Sequence, residues 1–268
     1  MPDGETVNYR YDGSFDGLLC CVFESFDKKE IPQKINGPDA VQLSLFTEKE
    51  IVTDEEKARR VLASIPKKIG PDALSFVRRA YLTCLPQKEW YILLFLRKGY
   101  RVGGKIMHML SDDVVNVLFK AVQQLGNEAH LLKEFIRFSV YDNVLAAQIT
   151  PKNFVLPFLG QHFAERFPNE AFLIYDTTHS MVLTYEKSNM QIRPVEHFSM
   201  PAPSEEEKRC LLYTSSAFAA FVQRAKPAGQ GIRARPEIGQ AGADEAVLSA
   251  PRCINGDECR NGRAAQRI

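Results

Sequence analysis

The spacing of apolar side chains changes partway along this chain, and that change constrains the fold more than any other feature. Up to about residue 132, apolar residues recur every three to four positions, the period of a helix with one buried face. Over Phe135–Ile149 they alternate, the period of a strand with one buried face. A chain that does this folds a helical part first and a sheet second, which is the α+β class.

Local signals place the helices. Ser14 caps a helix running to about Lys29, with Leu18, Leu19, Val22, Phe23 and Phe26 on its apolar face. A loop region over 30–52 contains VQLSLF, a short strand candidate. Thr53 with Glu56 forms a capping box ahead of a helix that turns Ala58, Val61, Leu62 and Ile65 inward. Gly70-Pro71-Asp72 ends that helix and starts another, with Pro71 at the first position, and Pro86 does the same for the apolar segment that follows. Ser111, Asp112 and Asp113 open a helix whose stripe is Val114, Val115, Leu118, Val122 and Leu125.

The sheet signals follow. FIRFSVYDNVLAAQI, Phe135–Ile149, alternates around Asp142-Asn143 and reads as a hairpin. Asn153 caps a helix from about Phe154 to Phe167, with Pro157 in its first turn, where the missing N–H has no helical partner to lose. AFLIYDTTHSMVLTYE, Ala171–Glu186, is a second hairpin with its tip near Asp176–His179. The expected architecture is a helical bundle over 9–132, then a small antiparallel sheet over 133–200 in the order hairpin, helix, hairpin.

After Arg209 the periodicity stops. Ser204 and Glu207 announce another helix, but Cys210–Ser215, CLLYTS, interrupts it. That string resembles translated sequencing-adapter read-through, so residues 210–268 are read as non-native, the alternative being a disordered basic tail. The expected domain is 1–209. It carries 26 basic and 28 acidic side chains, so no global field steers it to nucleic acid, although the whole chain has a formal charge of +1. The longest strongly apolar run, Trp90–Leu96, falls far short of the roughly 20 residues a spanning helix needs. The first residues are polar and show no signal peptide, and the expected location is the cytoplasm, with no membrane partner. Six cysteines without a CxxC read as buried reduced thiols.

Two stretches carry candidate chemistry. EAHLLKEFIRF, Glu128–Phe138, puts Glu128, His130, Glu134 and Arg137 among large apolar residues. His130 and Glu134 stand one helical turn apart and can pair. Arg137 is placed on the first strand, sharing a face with Phe135 and Ser139. The stretch reads first as a polar lock where helix meets sheet, and second as a catalytic or metal site. No HExxH supplies zinc ligands, so no metal and no cofactor is assigned. Glu128, His130, His162 and Asp176 remain the acid–base candidates.

GYRVGGK, Gly99–Lys105, satisfies G-x-x-x-x-G-K, but Ile106 stands where a P-loop needs Ser or Thr to hold magnesium. Read as a basic loop, it offers phosphate contact through Arg97, Arg101 and Lys105, close backbone approach at Gly103 and Gly104, and Tyr100 as a stacking platform, with Arg137 as a further contact.

YDGSFDGLLCCVFESF at Tyr11–Phe26, TDEEKARRV at Thr53–Val61, EAHLLKEFIRF at Glu128–Phe138 and HFAERFPNEAFLIYD at His162–Asp176 together resemble a bacterial family described as "probable DNA metabolism protein" (domain of unknown function 4130). The resemblance spans about residues 9–209. It implies a place beside a radical S-adenosylmethionine protein of DNA repair or modification and a uracil-DNA-glycosylase-like protein. It implies no mechanism. The chain departs from the family pattern in two places. Glu134 stands where a glycine is usual, and the CLLYTS tail replaces an aromatic and basic C-terminal helix. The expected function is an accessory DNA-metabolism or repair module that binds DNA or its partners. The alternatives are an enzyme acting on a nucleobase or phosphodiester through a His/Glu/Asp site, and a purely structural scaffold.

Overall fold

The structure is a computed structural model describing residues 7–38, 47–141, 143–197 and 226–227. VQLSLF at 41–46, the 204–207 capping box and the tail expected from 210 all lie outside the described residues, apart from the pair at 226–227. The architecture of the described residues is mixed α/β: six α-helices and two sheets.

The first correction concerns the expected helical bundle, which is built around a three-stranded sheet. Strand β1 (Val7–Arg10) lies between β2 (Ile35–Asn36) and β3 (Thr47–Glu50), and both pairings are parallel. Parallel neighbours need a crossover, and helix α1 (Phe15–Asp27) stands between β1 and β2 in the chain. Strand β3 reads TEKE, four polar residues without alternation. Its identity comes from pairing with β1, Val7 to Thr47 through Arg10 to Glu50.

Helices α1, α2 (Glu55–Lys68), α3 (Pro71–Tyr81), α4 (Lys88–Val102) and α5 (Asp113–Phe135) share one core with β1. Leu18, Leu19, Val22, Ile65, Leu118 and Leu125 are all fully buried, as their helical spacing requires. Ser14 caps α1 by accepting from the Gly17 N–H at 2.8 Å. The cap of α2 is Asp54, not Thr53. Its carboxylate accepts from the N–H groups of Glu56 and Lys57 at 2.9 and 3.1 Å. The Thr53 hydroxyl instead donates to Asp12 in the β1–α1 loop at 2.8 Å, a partner 41 residues away that local spacing cannot show. Asp112, within the expected Ser111–Asp113 start, caps α5. Pro71 starts α3 as expected, but α4 begins two residues after Pro86, behind Gln87 in the left-handed region (φ 55°).

The second sheet runs in the order β4 (Ser139–Tyr141), β5 (Val144–Ile149), β6 (Ala171–Asp176), β7 (Met181–Glu186), β8 (Asn189–His197), β9 (Lys226–Pro227). Both expected hairpins are present, β4–β5 and β6–β7. Between them, β5 and β6 run parallel, so the sheet is mixed rather than antiparallel. Helix α6 (Leu156–Arg166) is the crossover that makes this possible. It lies on the face of Leu183 and Met190, held close by Gly160, where a Cβ would fall 2.7 Å from Leu183 Cδ1 and 2.3 Å from Met190 Sδ. Asn153 does not cap α6, which begins behind Val155. Its side chain serves the junction described below. No helix among the described residues is long and apolar enough to cross a membrane.

Candidate nucleic-acid interface

The GYRVGGK stretch is helical. Trp90–Leu96, which would be a strand in a P-loop, lies inside α4. Gly99–Val102 form the last turn of α4, and a 3-10 segment, Gly103–His108, continues from it. The glycines serve packing rather than phosphate. A Cβ on Gly99 would fall 2.7 Å from Ile69 Cδ1, and one on Gly104 would fall 2.8 Å from the Ile69 carbonyl oxygen. Gly103 takes a positive φ of 69°. These residues let the end of α4 cross the end of α2.

The crossing divides the basic residues into two groups. Arg97 is used internally: its Nη1 donates to the Ser25 carbonyl at 2.9 Å, the Ser25 hydroxyl at 2.6 Å and the Glu30 carbonyl at 3.2 Å. Its guanidinium also lies 4.9 Å from the centre of the Phe26 ring. Lys98 pairs with Asp112 at 2.6 Å and holds that carboxyl below its usual range. Tyr100 is half-buried. Its hydroxyl shares a hydrogen bond with Ser64 at 2.5 Å, its ring meets Phe26 edge-on at 5.3 Å, and burial pushes its pKa up. Arg101 and Lys105 are exposed and make no ion pair among the described residues. Lys67 and Lys68, which close α2, reach the same corner. They too are exposed and unpaired among the described residues. Cations at the C-termini of α2 and α4 also complement the helix dipoles. Sequence reasoning passed over Lys67 and Lys68, although a Lys-Lys pair one residue before a helix-ending Gly-Pro is a visible signal. Arg137 is exposed, in the link between α5 and β4 rather than on a strand.

The acid–base candidates occupy different settings. Glu128 is the lock at the junction. Its carboxylate accepts from the Lys152 N–H at 2.8 Å, the Asn153 N–H at 2.9 Å and the Asn153 side-chain amide at 2.6 Å. His130 is exposed on the outer face of α5 and pairs with Glu134 at 3.2 Å, as their spacing requires. His162 is half-buried on α6. Burial, with Lys133 and Arg166 nearby, pushes its pKa below the ordinary histidine value. Asp176 is fully buried at the end of β6 and accepts from the N–H groups of Thr178 and His179 and from His179 Nδ1 at 2.6 Å. His179, near the tip of the β6–β7 hairpin, has a side chain only 14% accessible that meets Phe154 edge-on at 5.4 Å. Among the described residues, no hydrogen bond joins His130 or His162 to Glu128 or Asp176, and no group of three or more His, Cys, Asp or Glu side chains could hold a metal ion. Cys20 and Cys21 are buried free thiols, pushed up in pKa by burial, and Cys84 is exposed.

Fold and surface together define a mixed α/β protein in which four exposed cations without ion pairs meet where α2 ends against α4, and in which Glu128 and Asp176 are committed to internal bonds. The chain belongs to the family described as Domain of unknown function (DUF4130), whose model matches residues 86–224, just over half of its length. No curated protein matches it. A solved structure of a pGpG-specific phosphodiesterase, PggH from Vibrio cholerae, is similar at 13% identity over 67% of this chain and 81% of that one. Its TM-score is 0.29, a level that supports neither a fold nor an activity assignment.

Proposed function

We propose that this protein is an accessory module of DNA metabolism or repair that grips nucleic acid through the corner where α2 meets α4. The observation that carries the reading is the set Lys67, Lys68, Arg101 and Lys105: four exposed cations without ion pairs among the described residues, contributed by two chain segments. Unpaired cations release counterions from a phosphate backbone when they bind it, which supplies affinity without sequence readout. They form a local patch on a domain with a slight excess of acid over base. Action beside a radical S-adenosylmethionine enzyme and a uracil-DNA-glycosylase-like protein rests on the family resemblance alone.

The alternative reading, an enzyme acting on a nucleobase or phosphodiester, has one observation in its favour. A buried Asp176 orients His179 as a carboxylate orients a general base. Glu128 and His130, which that reading also needs, are occupied by backbone amides and by Glu134.

Electrophoretic mobility shift with uracil-containing and undamaged DNA, with and without the radical enzyme, tests the proposal. A shift at low salt that disappears in the Arg101→Glu/Lys105→Glu variant supports it. If no combination shifts at low salt, the DNA-contact reading is lost and a protein scaffold remains.

A further inference from the structure

Resting on the nucleic-acid reading above, we infer that the corner is one end of a basic stripe along α2 that takes the sugar–phosphate backbone of a duplex, without stacking on bases. Lys57, Arg60, Lys67 and Lys68 fall within about 100° of arc on α2, at 3.6 residues per turn, with Ser64 among them. From Lys57 to Lys68 the helix rises about 16 Å, the axial span of about five phosphates on one strand of B-form DNA. Arg101 and Lys105 extend the stripe past the end of the helix.

The heads of three of these cations are positioned by rings, not by acids. Lys57 Nζ lies 5.6 Å and the Arg60 guanidinium 5.9 Å from the centre of Phe23, and Lys68 Nζ lies 5.7 Å from the centre of Tyr100. A ring holds a cation in place without neutralising it. Three of the acids nearby have cations of their own, while Glu56, one turn before Arg60, is exposed and makes no ion pair among the described residues. Glu55 pairs with Arg59, Glu24 with Lys49, and Asp27 with Lys28.

The same contacts decide which nucleic acid fits. Proteins that grip single strands stack bases on aromatic side chains. Here Phe23 carries two cations, Phe26 carries Arg97, and Tyr100 carries Lys68 while its hydroxyl is tied to Ser64. Tyr100 is therefore not a stacking platform. What the surface offers is a row of point charges, and a duplex presents the denser row of phosphates to match them.

Fluorescence anisotropy with the full chain tests this, using a duplex of about 20 base pairs and the corresponding single strand across a potassium chloride series. With six cations engaged, the duplex is expected to bind more tightly, and log K to fall with log salt at a slope of about −5. Lys57→Gln/Arg60→Gln should reduce that slope by about 2, one per charge. Arg59→Gln, a neighbouring charge about 80° of arc outside the stripe and paired with Glu55, should leave it unchanged. Circular dichroism verifies that each variant is folded. Tighter binding to the single strand, or a slope that responds to Arg101→Gln/Lys105→Gln but not to Lys57→Gln/Arg60→Gln, would overturn the stripe while leaving the corner intact. Absence of binding to either DNA at low salt would remove the nucleic-acid reading, and the stripe with it.

Discussion

The Glu128 carboxylate on α5 takes both the backbone N–H and the side-chain amide of Asn153, at 2.9 and 2.6 Å. Asn153 is 5% exposed, and its Oδ1 accepts the Cys84 N–H at 2.9 Å. Two side chains thus tie the turn after α3, helix α5 and the loop after β5. Charged acceptors on backbone donors are the stronger kind of hydrogen bond, and donors left buried without a partner cost about 1–3 kcal/mol each. Asn153→Ala is expected to lower unfolding stability by about 2–3 kcal/mol in urea titration. In a double-mutant cycle, Glu128→Ala should couple to Asn153→Ala; additive effects would mean that the lock does not act as a unit.

His179 and Asp176 predict a tautomer. An ionised carboxylate can only accept, so His179 Nδ1 carries the proton and Nε2 is left without one when the ring is neutral. Nitrogen chemical shifts should show the Nδ1-protonated form. Asp176→Ala, at a fully buried position, leaves the Thr178 and His179 N–H groups unpartnered, at a cost of about 2–4 kcal/mol.

His162 predicts a pH dependence. Its folded pKa lies below the ordinary 6.5, chiefly through burial and then through Lys133 and Arg166. The unfolded chain therefore binds this proton first as pH falls. The histidine's contribution to stability is fully present above about pH 6.5 and declines as pH drops from there through the folded pKa. Thermal melts of the wild type should show that decline, and His162→Gln should remove part of it. Equal slopes in the two proteins would refute the assignment.

Gly104 predicts a link between packing and binding. A Cβ there would meet the Ile69 carbonyl oxygen, a backbone atom that cannot swing aside as a side-chain end does. Gly104→Ala should destabilise by about 1–3 kcal/mol. By pushing the end of α4 off α2, it should also weaken DNA binding, although it removes no charge.

Much of this molecule was written in local sequence. Ser14 announces α1, Pro71 announces α3, and the Leu118–Leu125 spacing announces the buried face of α5, because capping and burial at 3.6 residues per turn involve only near neighbours. Alternation likewise marked β4–β5, and β6–β7 showed as two apolar runs around a turn.

What the tertiary structure alone decided are the partnerships between distant segments. Nothing in TEKE marks it as a strand until β1 lies beside it, and no period tells β5 that its neighbour β6 runs parallel. The same holds for the basic residues. Arg97 and Lys98 read like Arg101 and Lys105 in sequence. The first pair is consumed by Ser25, Glu30 and Asp112, and the second is left facing water beside Lys67 and Lys68. A side chain's charge is fixed by its type, but whether that charge is free depends on which segments cross it, and only the folded chain brings α2 and α4 to that crossing.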